Sequence, residues 1–147
     1  MGKITGGADD GDGRPNAVVF KGGAAQFIDS GANNSEVQFV ANSGFIVGSY
    51  IKGFGGAWLP TIWTENPKKL GTYNHQFLPL YIEPNGLTAP QNLIEDANNS
   101  GVAVGHIGSV SLPSGQGAAV WNNNTQHTLE ILPQLPEELG AMAFGVN

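Results

Sequence analysis

Cysteine is absent from all 147 residues. This excludes a disulfide framework and a cysteine-built metal site. Charge is scarce as well. Only 12% of residues are charged, with six basic against twelve acidic and a net charge of −6. Five lysines and one arginine cannot assemble the basic patch that a phosphate backbone requires, so nucleic acid is not an expected partner. No apolar run approaches the roughly 20 residues of a membrane span, and the segment from Met1 to Gly7 lacks the apolar stretch of a secretory signal. No membrane partner is expected. Long helical periodicity is also missing; the best helical candidate, Pro136 to Met142, is short.

What is abundant is turn chemistry. The chain holds 22 glycines, nine prolines and 14 asparagines. Glycine and asparagine tolerate positive φ and suit tight turns. Between them lie short apolar or alternating runs: Ala17 to Phe20, Glu36 to Val40, Phe45 to Val47, and Val102 to Val104. Many short strands at close spacing predict an all-β sandwich, barrel or propeller.

An internal repeat narrows this choice. A Gly-x-x-x-Gly element occurs at Gly2–Gly6, Gly44–Gly48 and Gly101–Gly105. An aromatic anchor follows the second glycine by 14, 15 and 16 residues, at Phe20, Trp63 and Trp121. A further apolar position lies beyond each anchor, at Phe27 or Ile28, Leu70 and Leu129. Two units end in small-Asn motifs, Ala41-Asn42-Ser43 and Asn98-Asn99-Ser100, and the third ends in Gly145-Val146-Asn147. Successive first glycines are 42, 57 and 48 residues apart, the last spacing counted across a join of the two ends. The expected organisation is one domain, 1–147, of three repeats, 2–43, 44–100 and 101–147. Each would carry four strands, with the anchors packed between sheets.

These landmarks resemble the bacterial "HAF" extracellular repeats, which look like kelch-type β-propeller blades. The second repeat matches best, through Ile46-Val47-Gly48, Ile62-Trp63, Leu70-Gly71 and Ala97 to Gly101. The third supplies Val104-Gly105, Ala118 to Trp121 and Ala143 to Asn147. The first is degenerate, with Phe20 for Trp and no Leu-Gly. The resemblance implies a β-propeller-like fold of three four-stranded blades and an extracellular setting. It implies no catalytic residue. A propeller usually needs about 4–8 blades, so two chains forming a six-bladed ring are expected. The competing architecture is a monomer closed around a pseudo-threefold axis, as in a β-trefoil or β-prism.

Three equivalent loops, 7–15, 49–58 and 106–116, join the glycine strand to the anchor strand, and their chemistry differs. Variable loops on a repeated scaffold are where binding concentrates. The first holds Asp9, Asp10 and Asp12, with Asn16 nearby. This pattern resembles part of a calcium loop, in which alternating oxygens surround a hard cation. Ca2+ is therefore the one cofactor the loop suggests; a solvated acidic turn explains it as well. The second holds Tyr50, Phe54 and Trp58 around Lys52, residues suited to stacking on a sugar or a partner. The third begins with His106. The long segment 73–92 is too apolar for a floppy linker, and Phe77, Leu78, Leu80, Tyr81 and Ile82 should pack.

No nucleophile elbow or P-loop occurs, and His75, His106 and His127 lack the short spacing of a metal motif. The reading leans away from an enzyme. It favours a non-enzymatic binding or interaction module, as a homodimer, with a carbohydrate or protein ligand. The alternatives are a structural oligomerisation unit, or a hydrolase or lyase working in a propeller channel.

Overall fold

A computed structural model describes residues 4–9, 11, 13–28, 34–51, 56–122, 127–134 and 140–147. They form eleven strands: β1 (Ile4–Asp9), β2 (Pro15–Lys21), β3 (Ala24–Phe27), β4 (Asn34–Val40), β5 (Ile46–Ile51), β6 (Trp58–Glu65), β7 (Tyr73–Phe77), β8 (Gln91–Ala97), β9 (Ala103–Gly108), β10 (Gln116–Trp121) and β11 (Leu129–Ile131). No helix occurs among the described residues. Of the expected helix, Pro136 to Leu139 lie outside them, and Gly140 to Met142 are neither helix nor strand.

The strands make three separate antiparallel sheets. Sheet 1 is β1-β2-β3, sheet 2 is β4-β5-β6-β7, and sheet 3 is β8-β9-β10-β11. Each is a meander of sequence neighbours, blade-like in form, and none closes into a barrel. β4 packs on β1 and β2, while β8 packs on β5 and β6. Sheet 2 therefore lies between the other two. The strand that ends one repeat, β4 or β8, opens the next sheet, so sequence repeat and sheet are offset by one strand.

The two glycines of the repeat serve different purposes. Gly44 and Gly101, with φ of 90° and 87°, close identical turns. Gly44 N–H donates to the Ala41 carbonyl and Ala41 N–H to that of Phe45; Gly101 and Asn98 repeat this with Asn98 and Val102. A type I turn followed by a left-handed glycine accounts for the geometry. Gly48 and Gly105 instead face a neighbouring backbone. β4 is irregular between Val37 and Phe39, and β8 between Ile94 and Asp96, each with one extra residue. A Cβ on Gly48 would lie 1.9 Å from the Glu36 carbonyl oxygen, and one on Gly105 would lie 1.9 Å from that of Leu93.

Both faces of β5 and β9 are covered, and these strands are buried along their whole length. One face of sheet 2 places Ile46, Tyr50 and Trp63 against Ala17, Val19 and Ile28. The other places Val47 against Ile94, Ala97, Ala103, Ile107, Ala119 and Trp121. Polar bonds fix the crossings. Ala17 N–H donates to Ser35 Oγ (2.9 Å), and Ile94 N–H to Ser49 Oγ (3.3 Å).

Trp63 and Trp121 are buried at 0% and 1% exposure, as the repeat predicts, but Phe20 is 42% exposed. Strand alternation explains the exception. Trp63 and Trp121 lie on the faces turned toward the preceding sheet, and Phe20 lies on the matching face of sheet 1, which has no sheet before it among the described residues.

Of the apolar residues expected to pack around the end of β7, Leu78 is buried and Leu80 and Tyr81 are half-buried, but Phe77 and Ile82 are exposed. Ala89 is buried too, and Ile82 bridges Thr88. Asn92 secures the segment after β7, accepting from Tyr81 N–H and donating to the Ala89 carbonyl. Trp121 Nε1–H donates to the Pro79 carbonyl (2.8 Å), tying the segment to sheet 3.

Gly48→Ala and Gly105→Ala should each cost about 3 kcal/mol, because the bulged backbone must move to admit a methyl group. Denaturant titration checks this; a cost below about 1 kcal/mol would show that the bulge yields freely.

Candidate functional site

The meander order places the β1–β2, β5–β6 and β9–β10 hairpins at equivalent ends of the three sheets. Segment 78–90 joins this end, because it leads from the close of β7 to the start of β8. The hairpins are shorter than the sequence suggests. Their strands run on to Asp9, Ile51 and Gly108 and resume at Pro15, Trp58 and Gln116. Unbroken pairing, Tyr50 with Leu59 and His106 with Ala118, puts Tyr50 and His106 on strands.

The candidate residues do not converge on one point. Tyr50 is buried, and its ring stacks at 5.9 Å on His75 and meets Phe77 at 5.5 Å; His75 and Phe77 are 5.0 Å apart. These rings make an aromatic platform across β5 and β7, with His75 and Phe77 exposed. Trp58 is half-buried at the head of β6, where its N–H donates to the Pro90 carbonyl (3.1 Å). His106 is buried, with Nδ1 3.2 Å from Glu95 Oε1. Lys52 and Phe54 lie outside the described residues, as do Asp10 and Asp12. Asp9 ends β1 and is exposed. Among the described residues no three His, Asp or Glu side chains are grouped to hold a metal.

A polar cluster at the same end has no counterpart among the sequence candidates. The buried Glu83 accepts from Ser109 Oγ–H (2.7 Å). Ser109 Oγ lies 2.7 Å from Ser111 Oγ and accepts from Ser111 N–H, and Tyr81 Oη is 3.2 Å from Ser111 Oγ. The Ser109 and Ser111 hydroxyls, helped by the backbone N–H groups of Ser111 and Val110, hold the Glu83 carboxyl below its ordinary pKa, against the opposing effect of burial. The cluster fastens segment 78–90 to the β9–β10 hairpin. Its members are up to 30 residues apart, so no local motif betrays them. Around it stand exposed apolar side chains: Ile82, Leu87 and the nearly bare Val110.

At the opposite end an open cleft of about 440 Å³ is lined by Phe39, Asp96, Asn98, Asn99, Ser100 and Asn147, among others. Here the small-Asn motifs link sheet 2 to sheet 3 and sheet 3 to the segment 140–147. Asn42 N–H donates to Asn99 Oδ1 (2.7 Å), and Asn98 Nδ2–H to the Asn147 carbonyl (2.8 Å). Asn98 Oδ1 also accepts from Ser100 N–H and Val102 N–H, holding its turn. The side-chain amides of Asn98 and Asn99 are thus engaged in the scaffold.

No family model, curated protein or solved structure matches the chain.

Glu83 yields a test with a defined sign. Its lowered pKa means that folding favours the carboxylate. The stability it contributes is present above the ordinary carboxylate pKa and is lost as pH falls through the lowered value. Glu83→Gln should therefore be less stable than wild type at pH 7, with the gap closing between about pH 5 and pH 2. Denaturation midpoints across this range measure the gap; one that stays constant into acid would contradict the assignment.

Proposed function

We propose that the chain is a non-enzymatic binding module on a propeller-like scaffold, two copies forming a six-sheet ring. It holds a carbohydrate or protein ligand on the face where the hairpins and segment 78–90 gather. The single observation that carries this reading is the contrast between the two ends of the sheets. At the turn end the same motif recurs, and its amides link sheet 2 to sheet 3 and sheet 3 to the segment 140–147. At the hairpin end three like sheets carry unlike chemistry: the exposed Asp9 at the end of β1, an aromatic platform with Trp58, and a serine-rich hairpin with exposed Val110. Exposed apolar and aromatic groups on a rigid support suit recognition. The blade-like sheets and the HAF-like landmarks support the propeller reading, and the central position of sheet 2 favours an arc over closure around a threefold axis.

An immobilised oligosaccharide array and a protein pull-down, each run with wild type, Trp58→Ala and Val110→Ser, test the proposal. Binding in one assay that falls about tenfold or more in a variant, an energy of about 1.4 kcal/mol, is the expected result. Binding unaffected by either substitution, or none in both assays, counts against the face and favours a structural role.

A further inference from the structure

Gly6 is the β1 counterpart of Gly48 and Gly105, yet it lacks their reason to be glycine. Gly48 pairs with Val37 and Gly105 with Ile94, each across from a bulged strand whose carbonyl fills the place of a Cβ. Among the described residues a Cβ on Gly6 would meet only the ring edge of Phe20, at 3.3 Å. Among the described residues β1 pairs with β2 alone, so its other edge carries no strand. Among the described residues sheet 1 has three strands where the others have four, and none of them stands where β4 and β8 do.

A segment with the features of such a strand lies at 140–147. Segment 140–147 lies on sheet 3 much as β8 lies on sheet 2. Ala143 N–H donates to the Gly105 carbonyl (3.2 Å), one residue along each chain from the position matching Ile94 on Ser49. Val146 N–H donates to Asp96 Oδ2 (3.1 Å), and Asn147 continues the asparagine links. No described strand pairs with this segment, and Met142 and Phe144 are exposed. Their repeat counterparts Val37, Phe39 and Ile94 are partly or fully covered. Exposed residues thus mark both sides of one absent junction: Phe20 on sheet 1, Met142 and Phe144 on the tail.

We propose that segment 140–147 of one copy pairs with the free edge of β1 in a second copy, as a bulged strand that completes sheet 1. Transferring the β4–β5 and β8–β9 registers sets Met142 opposite Gly6, Phe144 opposite Thr5 and Gly145 opposite Ile4, with Ala143 as the extra residue of the bulge. A chain cannot do this to itself while its tail rests on sheet 3, because sheet 2 separates sheet 3 from β1. Edge pairing of this kind supplies main-chain hydrogen bonds and register together. Each copy both donates and accepts a strand, so two copies close the ring. The inference rests on the proposed two-copy ring and specifies its junction.

Solution mass and cross-linking separate the two claims. Light scattering of the wild-type chain should give twice the mass of one 15.3 kDa protomer. Gly6→Val places side-chain atoms where the incoming carbonyl would sit and should raise the dimer dissociation constant about 100-fold; Phe144→Asp, a change on the exposed tail, should weaken the dimer too. Because the chain has no cysteine, the Thr5→Cys/Phe144→Cys double variant reports the register directly. Oxidation should yield covalently linked pairs of chains, which neither single variant produces. A wild-type monomer overturns the junction and the ring together. A dimer that tolerates Gly6→Val and Phe144→Asp, or whose cysteines close within one chain, overturns the strand pairing and leaves the two-copy mass standing.

Discussion

The contact on which the rest depends is a backbone carbonyl pressed against a glycine. At the opening of sheets 2 and 3 the first strand carries one extra residue, and the carbonyl before Val37 or Ile94 comes to rest over Gly48 or Gly105. A bulge bends its strand and raises the local twist. Here it also sets where β4 and β8 lean back onto the preceding sheet, which is how two of the three sheets stack without a helix between them. The steric demand is severe, since no other residue lacks the Cβ. It recurs at the same place with the same distances in sheets that share few side chains.

Periodicity alone would have missed this arrangement. β5 and β9 are covered on both faces, so their sequences mix glycine, Ser49 and His106 with apolar residues and show no in-and-out alternation. The spaced landmarks are what made the strands legible. Gly44 and Gly101 mark turns, Gly48 and Gly105 mark bulges, and Trp63 and Trp121 mark the faces turned to the preceding sheet. The same logic placed Phe20 in the core, and there it misled. An anchor is buried only by the sheet before it, and a repeat pattern does not say whether that sheet exists. Tyr50 and His106 look like loop chemistry, whereas ladder hydrogen bonds hold them on strands and shorten the hairpins. The Glu83 cluster was invisible for another reason: its partners meet only after segment 78–90 folds over sheet 3.

The two ends of the sheets are under different constraints. At the turn end, Asn42, Asn98 and Asn99 use side-chain amides and a backbone N–H to join neighbouring units, so the residues there answer to one another. At the hairpin end, successive units are free to differ. Segment 78–90 exploits that freedom, extending one connection and spending a buried carboxylate to hold it against the next hairpin. A carboxylate costs less to bury when hydroxyl and backbone N–H groups replace its water, and the direction of the Glu83 shift fits that exchange.

The scarcity of charge follows from the same geometry. A sheet stacked on both sides offers water only its outer strand, its edges and its hairpins. Strand positions that would carry lysine or glutamate on a half-exposed sheet are buried here, and the turns are filled by glycine and asparagine. Acids near the interior act as acceptors within the chain: Glu83 from Ser109, Asp96 from Val146 N–H, Glu65 from Gly71 N–H. Charge is thus removed from strands by stacking, and the carboxylates that remain near the interior hold backbone and loops in place. A stacked scaffold of this kind draws its solubility from its ends, which is also where its chemistry is most varied.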